Sequence, residues 1–459
     1  MHSRAADADS RLSFWRRVRE FAVPPSMIER ATARRRAGDW AGACAAARVD
    51  VDLSLRAVAD RHGHEVAARL RADLRNLAPD LLRWHLPRVA PDGLLRPGLT
   101  VGLSRYEPER PDGGAVHLVA RTSPAWADAG QRISLGLWDG FHCGSGPRPH
   151  PDQRFRLDLH RHLWDARRTG ELRTRSGADR LPPDAPPEGI PDEVGTIVRA
   201  DGYATDRWAA EAALLLRADG RASGAVAVRL GARRRLVLDV TAGADGGRSP
   251  IARISTVAGG AGLPMLPDVA TWVLPDLALL RSGMIEADRL HPLVASALVP
   301  NRPAPTGTAA PHRAEPSRLV RCRGAHHRIG LVDGVLAALD HDPAEIRREE
   351  LLAALTGTPL PCLQAIDEAH RTPECLPDVR ARLDHGDAAG ALATVEALLG
   401  PEALLRDGAL RDELETAAQR RITHGLFRAG LIGAEPGPTA DGPRRSGERR
   451  RRTRHATSR

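Results

Sequence analysis

The amino-acid sequence predicts an α+β fold, in which helical N-terminal and C-terminal regions flank a central, mostly antiparallel β region and a disordered Arg-rich tail follows. Two patterns predict it. Apolar residues recur with helical spacing from about residue 10 to 90 and again after about residue 318. Between about residues 95 and 260, short runs alternate apolar and polar residues and end near Gly, Pro or Asp, as half-buried strands do.

The chain of 459 residues is long enough for about three domains. Two proline-rich stretches interrupt it, Leu181–Glu193 and Pro300–Pro316, and the second is the better domain boundary. We therefore expect five segments: a helical N-terminal region (1–90), a central α+β domain (91–300), a Pro-rich linker (301–317), a helical C-terminal domain (318–433) and a disordered basic tail (434–459).

Local signals mark the N-terminal helices. Ser26, followed three residues later by Glu29, forms a capping box for a helix over Met27–Arg36. A second helix is expected after Gly38 and Asp39, and a third covers His64–Asn76. The third helix places apolar residues four apart on one stripe: Val66, Leu70 and Leu74.

The central region is expected to contain two sets of three strands, separated by two helices. The expected helices are Asp206–Arg217 and Pro151–Arg168, the latter because it has Pro at its first position and arginines in its last turn. The expected strands are Leu99–Tyr106, Ala115–Arg121, Arg132–Trp138, Gly224–Leu230, Arg235–Thr241 and Ile251–Val257.

The C-terminal region is expected to be helical from about residue 318 onward. Its best-marked helix has Asp342 as N-cap, Pro343 at the first position, Glu345 closing a capping box, and Gly357 past the end. Further helices are expected over Leu363–His370, Pro377–Leu383, Ala388–Leu399 and Leu410–Arg428.

One internal similarity links the two helical regions. Ala33–Ala45 and Ala381–Ala393 share a helix end, a Gly-Asp turn and a helix start built from small residues. This pattern resembles the helical hairpin of tetratricopeptide-like proteins. No 34-residue period connects the two copies, so an ordinary helical hairpin is favoured over a repeat array.

Composition excludes several classes of enzyme. All 67 basic residues are arginine, as GC-rich bacterial coding favours, and the missing lysine excludes P-loop, protein-kinase and pyridoxal-phosphate chemistry in their standard forms. The five cysteines are few and scattered, which indicates a reducing compartment. We find no signal-peptide pattern and no run of 18 apolar residues, and therefore expect a cytoplasmic protein with no membrane partner.

The most suggestive polar cluster is Asp158, His160 and His162. On a strand these side chains would share one face, as metal ligands could, whereas on a helix Asp158 and His162 would share a face with Asp165. Because such faces are usually solvated or ion-paired, we expect no metal here and treat these residues as candidates only.

Cysteine and histidine also occur together at Cys322, His326 and His327. A structural zinc site needs four ligands, and Cys362 and Cys375 are candidate distal partners. Their separation fits no standard zinc finger, so ordinary buried cysteines are favoured.

Other catalytic and cofactor patterns are incomplete. His64 and Glu65 begin a metalloprotease-like motif, but Ala68 replaces its second histidine. Cys143 stands where a nucleophile elbow around Ser145 needs glycine. The Gly-rich run 259–262 leads into Leu-Pro rather than a helix, so we expect no cofactor.

Most of the net positive charge lies at the C-terminal end of the sequence. Residues 442–459 contain eight arginines and one glutamate, so they carry seven of the nine net positive charges. A disordered arginine tail can contact the phosphates of nucleic acid. The candidate contacts are Arg444, Arg445, Arg449, Arg450, Arg451, Arg452 and Arg454.

These observations favour a non-catalytic cytoplasmic protein that acts as a scaffold or binds an unidentified protein partner. The eight tryptophans are spread along the chain, which suits core anchors rather than a base-stacking surface. Two alternatives stay open: a nucleic-acid-associated protein that acts through its tail, and a metal-dependent enzyme.

Overall fold

The computed structural model describes residues 2–107, 114–140, 150–180, 195, 202–231, 234–241, 251–255, 262–300, 318–357 and 359–432. Contacts divide the chain into two compact units. The first draws its described residues from 1–125 and 132–303, and the second from 126–131 and 304–435. Helices at both ends and antiparallel sheets between them confirm the predicted α+β class.

The described residues of the first unit form eleven α-helices. They are α1 (His2–Phe21), α2 (Pro25–Arg36), α3 (Trp40–Ala46), α4 (Leu55–His62), α5 (His64–Asn76), α6 (Pro79–His85), α7 (Leu172–Ser176), α8 (Thr205–Ala218), α9 (Asp268–Thr271), α10 (Pro275–Arg281) and α11 (Pro292–Leu298).

The strands described in this unit form three sheets. A four-stranded sheet has the order β1-β6-β5-β4, in which β1 is parallel to β6 and the other pairs are antiparallel. The remaining sheets are the antiparallel pair β2-β3 and the antiparallel sheet β7-β8-β9. The strands are β1 (Val49–Val51), β2 (Arg88–Val89), β3 (Leu94–Leu95), β4 (Thr100–Tyr106), β5 (Val116–Thr122), β6 (Ile133–Trp138), β7 (Gly224–Leu230), β8 (Arg234–Thr241) and β9 (Ile251–Ser255).

One large apolar core joins the N-terminal helices to the first sheet. It extends from Val18 to Leu298 and includes the predicted stripe of α5, whose apolar members are fully enclosed. A second core lies between α8 and the sheet β7-β8-β9. Trp84, Trp164 and Trp208 are almost fully buried, as expected for core anchors.

The predicted helix over Pro151–Arg168 is wrong. The backbone of this segment bonds to distant partners instead: Asp158 N–H donates to the carbonyl of Gly102, and Ala166 N–H to that of Asn76, each at 2.9 Å. Only a short 3-10 turn, Arg161–Leu163, forms within it. The proline at the start and the arginines at the end of this segment favour a helix. Hydrogen bonds to distant residues satisfy the same backbone groups and outweigh that local preference.

The predicted capping box at Ser26 is also wrong. Helix α2 begins at Pro25, with Pro24 at the N-cap and no side-chain cap, so Ser26 lies inside the first turn. Proline suits the first helical position because its φ is fixed near the helical value, and the N–H of Met27 donates to the carbonyl of Pro24 at 2.9 Å.

The second unit combines a small sheet with helices. The antiparallel sheet β10-β11-β12 consists of β10 (Arg318–Cys322), β11 (Ala325–Val332) and β12 (Val335–Ala338). The helices are α12 (Pro343–Thr356), α13 (Pro361–Arg371), α14 (Leu376–Asp384), α15 (Ala388–Leu399) and α16 (Ala409–Arg428).

The prediction that the chain is helical from residue 318 is wrong for these three strands. Two tight hairpin loops connect them, and in each loop both residues have positive φ: Arg323 (50°) with Gly324 (85°), and Asp333 (52°) with Gly334 (76°). An Asp-Gly pair between apolar runs is a strong hairpin signal, so the sequence contained the evidence for the second loop.

The start of α12 is partly as predicted. Asp342 is the N-cap and accepts a hydrogen bond from the N–H of Ala344, and Gly357 ends the helix in the left-handed conformation. Glu345 does not close a capping box, because its carboxylate pairs with Arg323. The N-terminus of α12 is therefore capped by the side chain of Asp342 alone, without the reciprocal hydrogen bond of a capping box.

The similarity between Ala33–Ala45 and Ala381–Ala393 corresponds to the same helical hairpin in both units. Gly38 (φ 77°) and Gly386 (φ 82°) turn the chain in the left-handed region. Asp39 then caps α3 through the N–H of Gly42, as Asp387 caps α15 through that of Gly390. The two copies are thus equivalent in their capping as well as in sequence.

Several predictions lie outside the described residues. They concern the linker 301–317, the basic tail 434–459 and the glycine and cysteine motifs at 259–261 and 143–146. In the part of the chain that is described, no helix is both long and apolar enough to cross a membrane.

Candidate metal centre in the second unit

Cys322 is placed by the first hairpin of the small sheet. It is the last residue of β10 and pairs with Ala325 across the loop Arg323-Gly324. The positive φ of both loop residues produces the tight turn that matches the twist of the two strands. The side chain of Cys322 is fully buried on the inner face of the sheet, the same face as Ile329.

Cys362 and His341 come from the starts of two neighbouring helices. Cys362 follows Pro361 in the first turn of α13. His341 immediately precedes Asp342, the N-cap of α12. The starts of two helices and one hairpin therefore position the three side chains.

The ligand atoms of Cys322, His341 and Cys362 all lie within 4.8 Å of one another. The Sγ of Cys362 is 3.6 Å from the Nε2 of His341. Both cysteines are fully enclosed, and the side chain of His341 is only 5% exposed. Of the described residues, this is the only group of three or more His, Cys, Asp or Glu side chains arranged closely enough to hold one metal ion.

Charged residues surround the outer side of this cluster. The Oε2 of Glu345 lies 3.8 Å from the Nδ1 of His341, on the side opposite the cysteines. Arg323, from the hairpin loop beside Cys322, pairs with both Glu345 and Glu349 on α12. The loop that carries one cysteine is thereby tied to the helix that follows the histidine.

His327 packs directly on His341. Their rings are stacked, with centroids 4.2 Å apart and an interplanar angle of 12°. The Nδ1 of His327 is buried and has no hydrogen-bond partner among the described residues. An enclosed ring nitrogen without a partner is costly, which marks His327 as a further candidate ligand.

Burial raises the pKa of the Cys362 thiol to about 11, and the neighbouring Cys322 adds to this effect. Two adjacent buried thiols resist ionisation because water no longer stabilises their negative charge. A divalent cation between them would supply that stabilisation and displace the protons.

The other predicted ligands do not converge. Asp158 forms an ion pair with Arg156, at 2.9 Å. The Nδ1 of His160 is 2.8 Å from the carbonyl oxygen of Arg156, and its Nε2 is 3.1 Å from Glu211. Since both partners accept hydrogen bonds, the ring of His160 has no lone pair directed at a metal.

His162 is buried near His160, with ring centroids 5.8 Å apart. Burial lowers the pKa of His162 well below its ordinary value, and the positive charge around His160 and Arg175 lowers it further. Its Nδ1 has no hydrogen-bond partner in the described part of the chain. The geometry therefore places His160 in a buried hydrogen-bond network of the first unit, with the ring of His162 packed beside it.

Sequence reasoning identified part of the metal cluster. Cys322 and Cys362 were candidate ligands, and the structure brings them together. His326 points to the other face of the sheet, because neighbouring strand residues alternate. Cys375 caps α14 and is not part of the group. His341 was missed, and the one local signal for it was its position beside a strong N-cap.

Exposed apolar side chains are concentrated in this unit. Each exposed large apolar side chain of the described residues belongs to the segment 318–432: Leu319, Leu331, Val332, Val335, Leu339, Leu351, Leu352, Leu355, Leu392, Leu404, Ile422, Leu426 and Leu431. Single exposed apolar residues are normal on a protein surface, so only a contiguous set of them indicates an interaction surface.

Comparison with known proteins adds no assignment, since no family model, curated protein or solved structure matches this chain.

Proposed function

We propose that this is a non-catalytic interaction protein that binds a protein partner through helix α12. The observation that carries the proposal is the surface of this helix. None of its described residues is buried, and its second half exposes Leu351, Leu352 and Leu355. The most exposed, Leu355, has 85% of its surface open to solvent.

The three leucines form one stripe. Leu351 and Leu355 are four residues apart and Leu352 and Leu355 three apart, so all three project from one side of the helix. This is the anchor spacing with which an amphipathic helix occupies an apolar groove of another protein.

The stability of α12 also argues for a partner. A helix of 14 residues is marginal on its own in water, and helices of globular proteins are stabilised mainly by packing one apolar face. Because α12 buries none of its described residues, its leucine stripe is available to provide that packing in a complex. We therefore assign the stripe to a protein partner with an apolar groove.

The test compares three tagged forms of the full chain in affinity capture from native cells, with identification by mass spectrometry. The variant carries Leu351→Gln, Leu352→Gln and Leu355→Gln, and the matched control carries Leu404→Gln, another highly exposed leucine of the same unit. We expect a specific protein to be enriched at least tenfold less by the triple variant, because each removed anchor costs on the order of 1 kcal/mol or more.

Light scattering on the purified forms completes the test. If the wild-type chain is a dimer and the triple variant a monomer, the groove belongs to a second copy and the proposal of a different partner is wrong. If the triple variant captures the same proteins as the control and is equally monomeric, α12 is not the interaction surface.

A further inference from the structure

We propose that the second unit binds one structural Zn²⁺ ion through the Sγ of Cys322, the Sγ of Cys362 and the Nε2 of His341, with His327 as the fourth ligand. The site is independent of the proposed partner binding, because none of these side chains belongs to the leucine stripe of α12.

The separation of the ligand atoms fits zinc. Tetrahedral bonds of about 2.3 Å to sulfur and about 2.0–2.1 Å to nitrogen place the two atoms roughly 3.5–3.6 Å apart. The Sγ of Cys362 and the Nε2 of His341 are 3.6 Å apart, and the Sγ of Cys322 lies within 4.8 Å of both. Three of the four ligands are therefore already gathered, whereas His327 lies outside this group and its side chain would have to rotate to complete the site.

The chemistry of the donors selects the metal. Two thiolates and imidazole nitrogen form a borderline-soft set, which favours zinc and disfavours calcium and magnesium, whose preferred ligands are oxygens. Binding replaces the two thiol protons, which pass to solvent, and changes no oxidation state.

The surroundings match what zinc-bound histidines require. Such a histidine usually directs its second nitrogen at a carboxylate, and the Nδ1 of His341 faces Glu345 at 3.8 Å. His327 supplies an enclosed and unpartnered nitrogen next to the same ring. Rotation of the His327 side chain would direct this nitrogen at the ion.

The small sheet also lacks an adequate core of its own. Cys322 and Ile329 are the only buried residues in the strands β10, β11 and β12. Small modules with so little buried apolar surface are commonly stabilised by a structural metal. An ion held by Cys322, His341 and Cys362 would join the sheet to the starts of α12 and α13.

The first experiment measures zinc in the full chain, purified without chelators, by elemental mass spectrometry. We expect about one zinc per chain, as a single four-ligand site requires. Cys322→Ser and Cys362→Ser should each lose it, and the matched control Cys375→Ser should retain it. Cys362→His, which replaces one zinc ligand by another, should also retain zinc and shows that loss is not caused by misfolding alone.

The second experiment adds Co²⁺ to the metal-free wild-type chain. We expect the visible bands of tetrahedral cobalt and a thiolate-to-cobalt charge-transfer band, with the latter weakened in Cys362→His. Glu345→Gln should reduce the affinity for the ion about 10-fold to 100-fold, because changes to a carboxylate that orients a metal-binding histidine have effects of this size.

Two results would overturn the proposal: a wild-type chain that carries no stoichiometric zinc and gives no charge-transfer band, or zinc that persists in the Cys322→Ser/Cys362→Ser double variant. His327→Ala tests the fourth ligand against His326→Ala on the opposite face. Equal zinc affinity in these two variants would show that the assignment of His327 is wrong.

Discussion

At the residue scale, the first unit contains buried ionisable groups, among which Glu211 is paired with both His160 and Arg175. Burial alone would raise the pKa of Glu211, but hydrogen bonds from His160 and Arg175 outweigh it and lower this pKa far below its ordinary value. Arg175 makes two hydrogen bonds to the carboxylate, each 2.7 Å long. The same network leaves His162 neutral, since neighbouring positive charge and burial both oppose its protonation.

This network predicts a loss of stability on mild acidification. The pKa of His162 is lowered in the folded state, so the unfolded chain takes up a proton near pH 6.5 that the folded chain refuses. The stabilisation is complete above that pH and is lost as pH falls below it, at up to about 1.4 kcal/mol per pH unit for each such group. His85, whose pKa burial lowers to about 3, acts in the same direction.

Urea unfolding followed by tryptophan fluorescence between pH 7.5 and 5 measures this effect. Seven of the eight tryptophans belong to the first unit, so the signal reports mainly on that unit. His162→Gln should reduce the fall in stability with pH, whereas His326→Gln in the second unit should leave it unchanged. An unaltered pH dependence in His162→Gln would contradict the assignment. The groups that face His162 are His160, Arg175, Glu211 and His85.

At the element scale, the Gly-Asp hairpin shows how one local pattern produces the same structure in two units. Each copy also has an ion pair across the turn: Arg34 with Asp39 at 3.1 Å, and Arg382 with Asp387 at 3.3 Å. Glycine at the third position after the cap leaves room for the capping carboxylate, since a Cβ at Gly42 or Gly390 would lie 2.1 Å from the carboxylate and the Asp side chain would have to shift. The similarity is therefore a property of the turn itself.

Loss of the cap should destabilise α15 locally. Asp387→Ala removes the hydrogen bond to the N–H of Gly390 and should cost about 1–2 kcal/mol. Asp378→Ala removes only the partly exposed pair with Arg382 and should cost less than about 1 kcal/mol. Hydrogen–deuterium exchange of residues 388–399 measures the difference. If exchange of residues 388–399 is accelerated equally in the two variants, the hydrogen bond from the N–H of Gly390 contributes nothing beyond the loss of an ion pair with Arg382.

At the scale of the whole molecule, apolar exposure and charge are unevenly distributed. The exposed leucine, isoleucine and valine side chains of the described residues all lie in the second unit. Seven of the nine net positive charges lie in the last 18 residues of the sequence. Both features lie in the C-terminal third of the chain.

The tail provides a separate test, for contact with nucleic acid. If it binds phosphates, removal of residues 442–459 should abolish DNA or RNA binding by the full chain. The logarithm of the binding constant should fall with the logarithm of salt concentration by about 0.7–0.9 per phosphate contacted. A control of equal length replaces the arginines by glutamine: Arg444, Arg445, Arg449, Arg450, Arg451, Arg452, Arg454 and Arg459. Binding that survives both changes would exclude the tail as the contact.

Much of the fold was predictable because its signals are local. Helices α5 and α15 and strand β7 have the predicted bounds, and the other elements that were predicted, apart from Pro151–Arg168, lie within one or two residues of them. The metal cluster was predictable only in part. Residue type marks Cys322 and Cys362 as possible ligands, but 40 positions separate them, so the sequence does not show that they lie together. Nothing local could show that His341 lies beside both.

The sequence by itself determined the class of fold, the two Gly-Asp hairpins and the location of the charge, because composition and turn chemistry act within a few residues. Only the tertiary structure decided that 151–168 is not a helix, that His160 is bound to Glu211, and that two cysteines and a histidine converge. Those outcomes depend on hydrogen bonds and packing between residues far apart in the chain, which outweigh local preference wherever they satisfy the same groups.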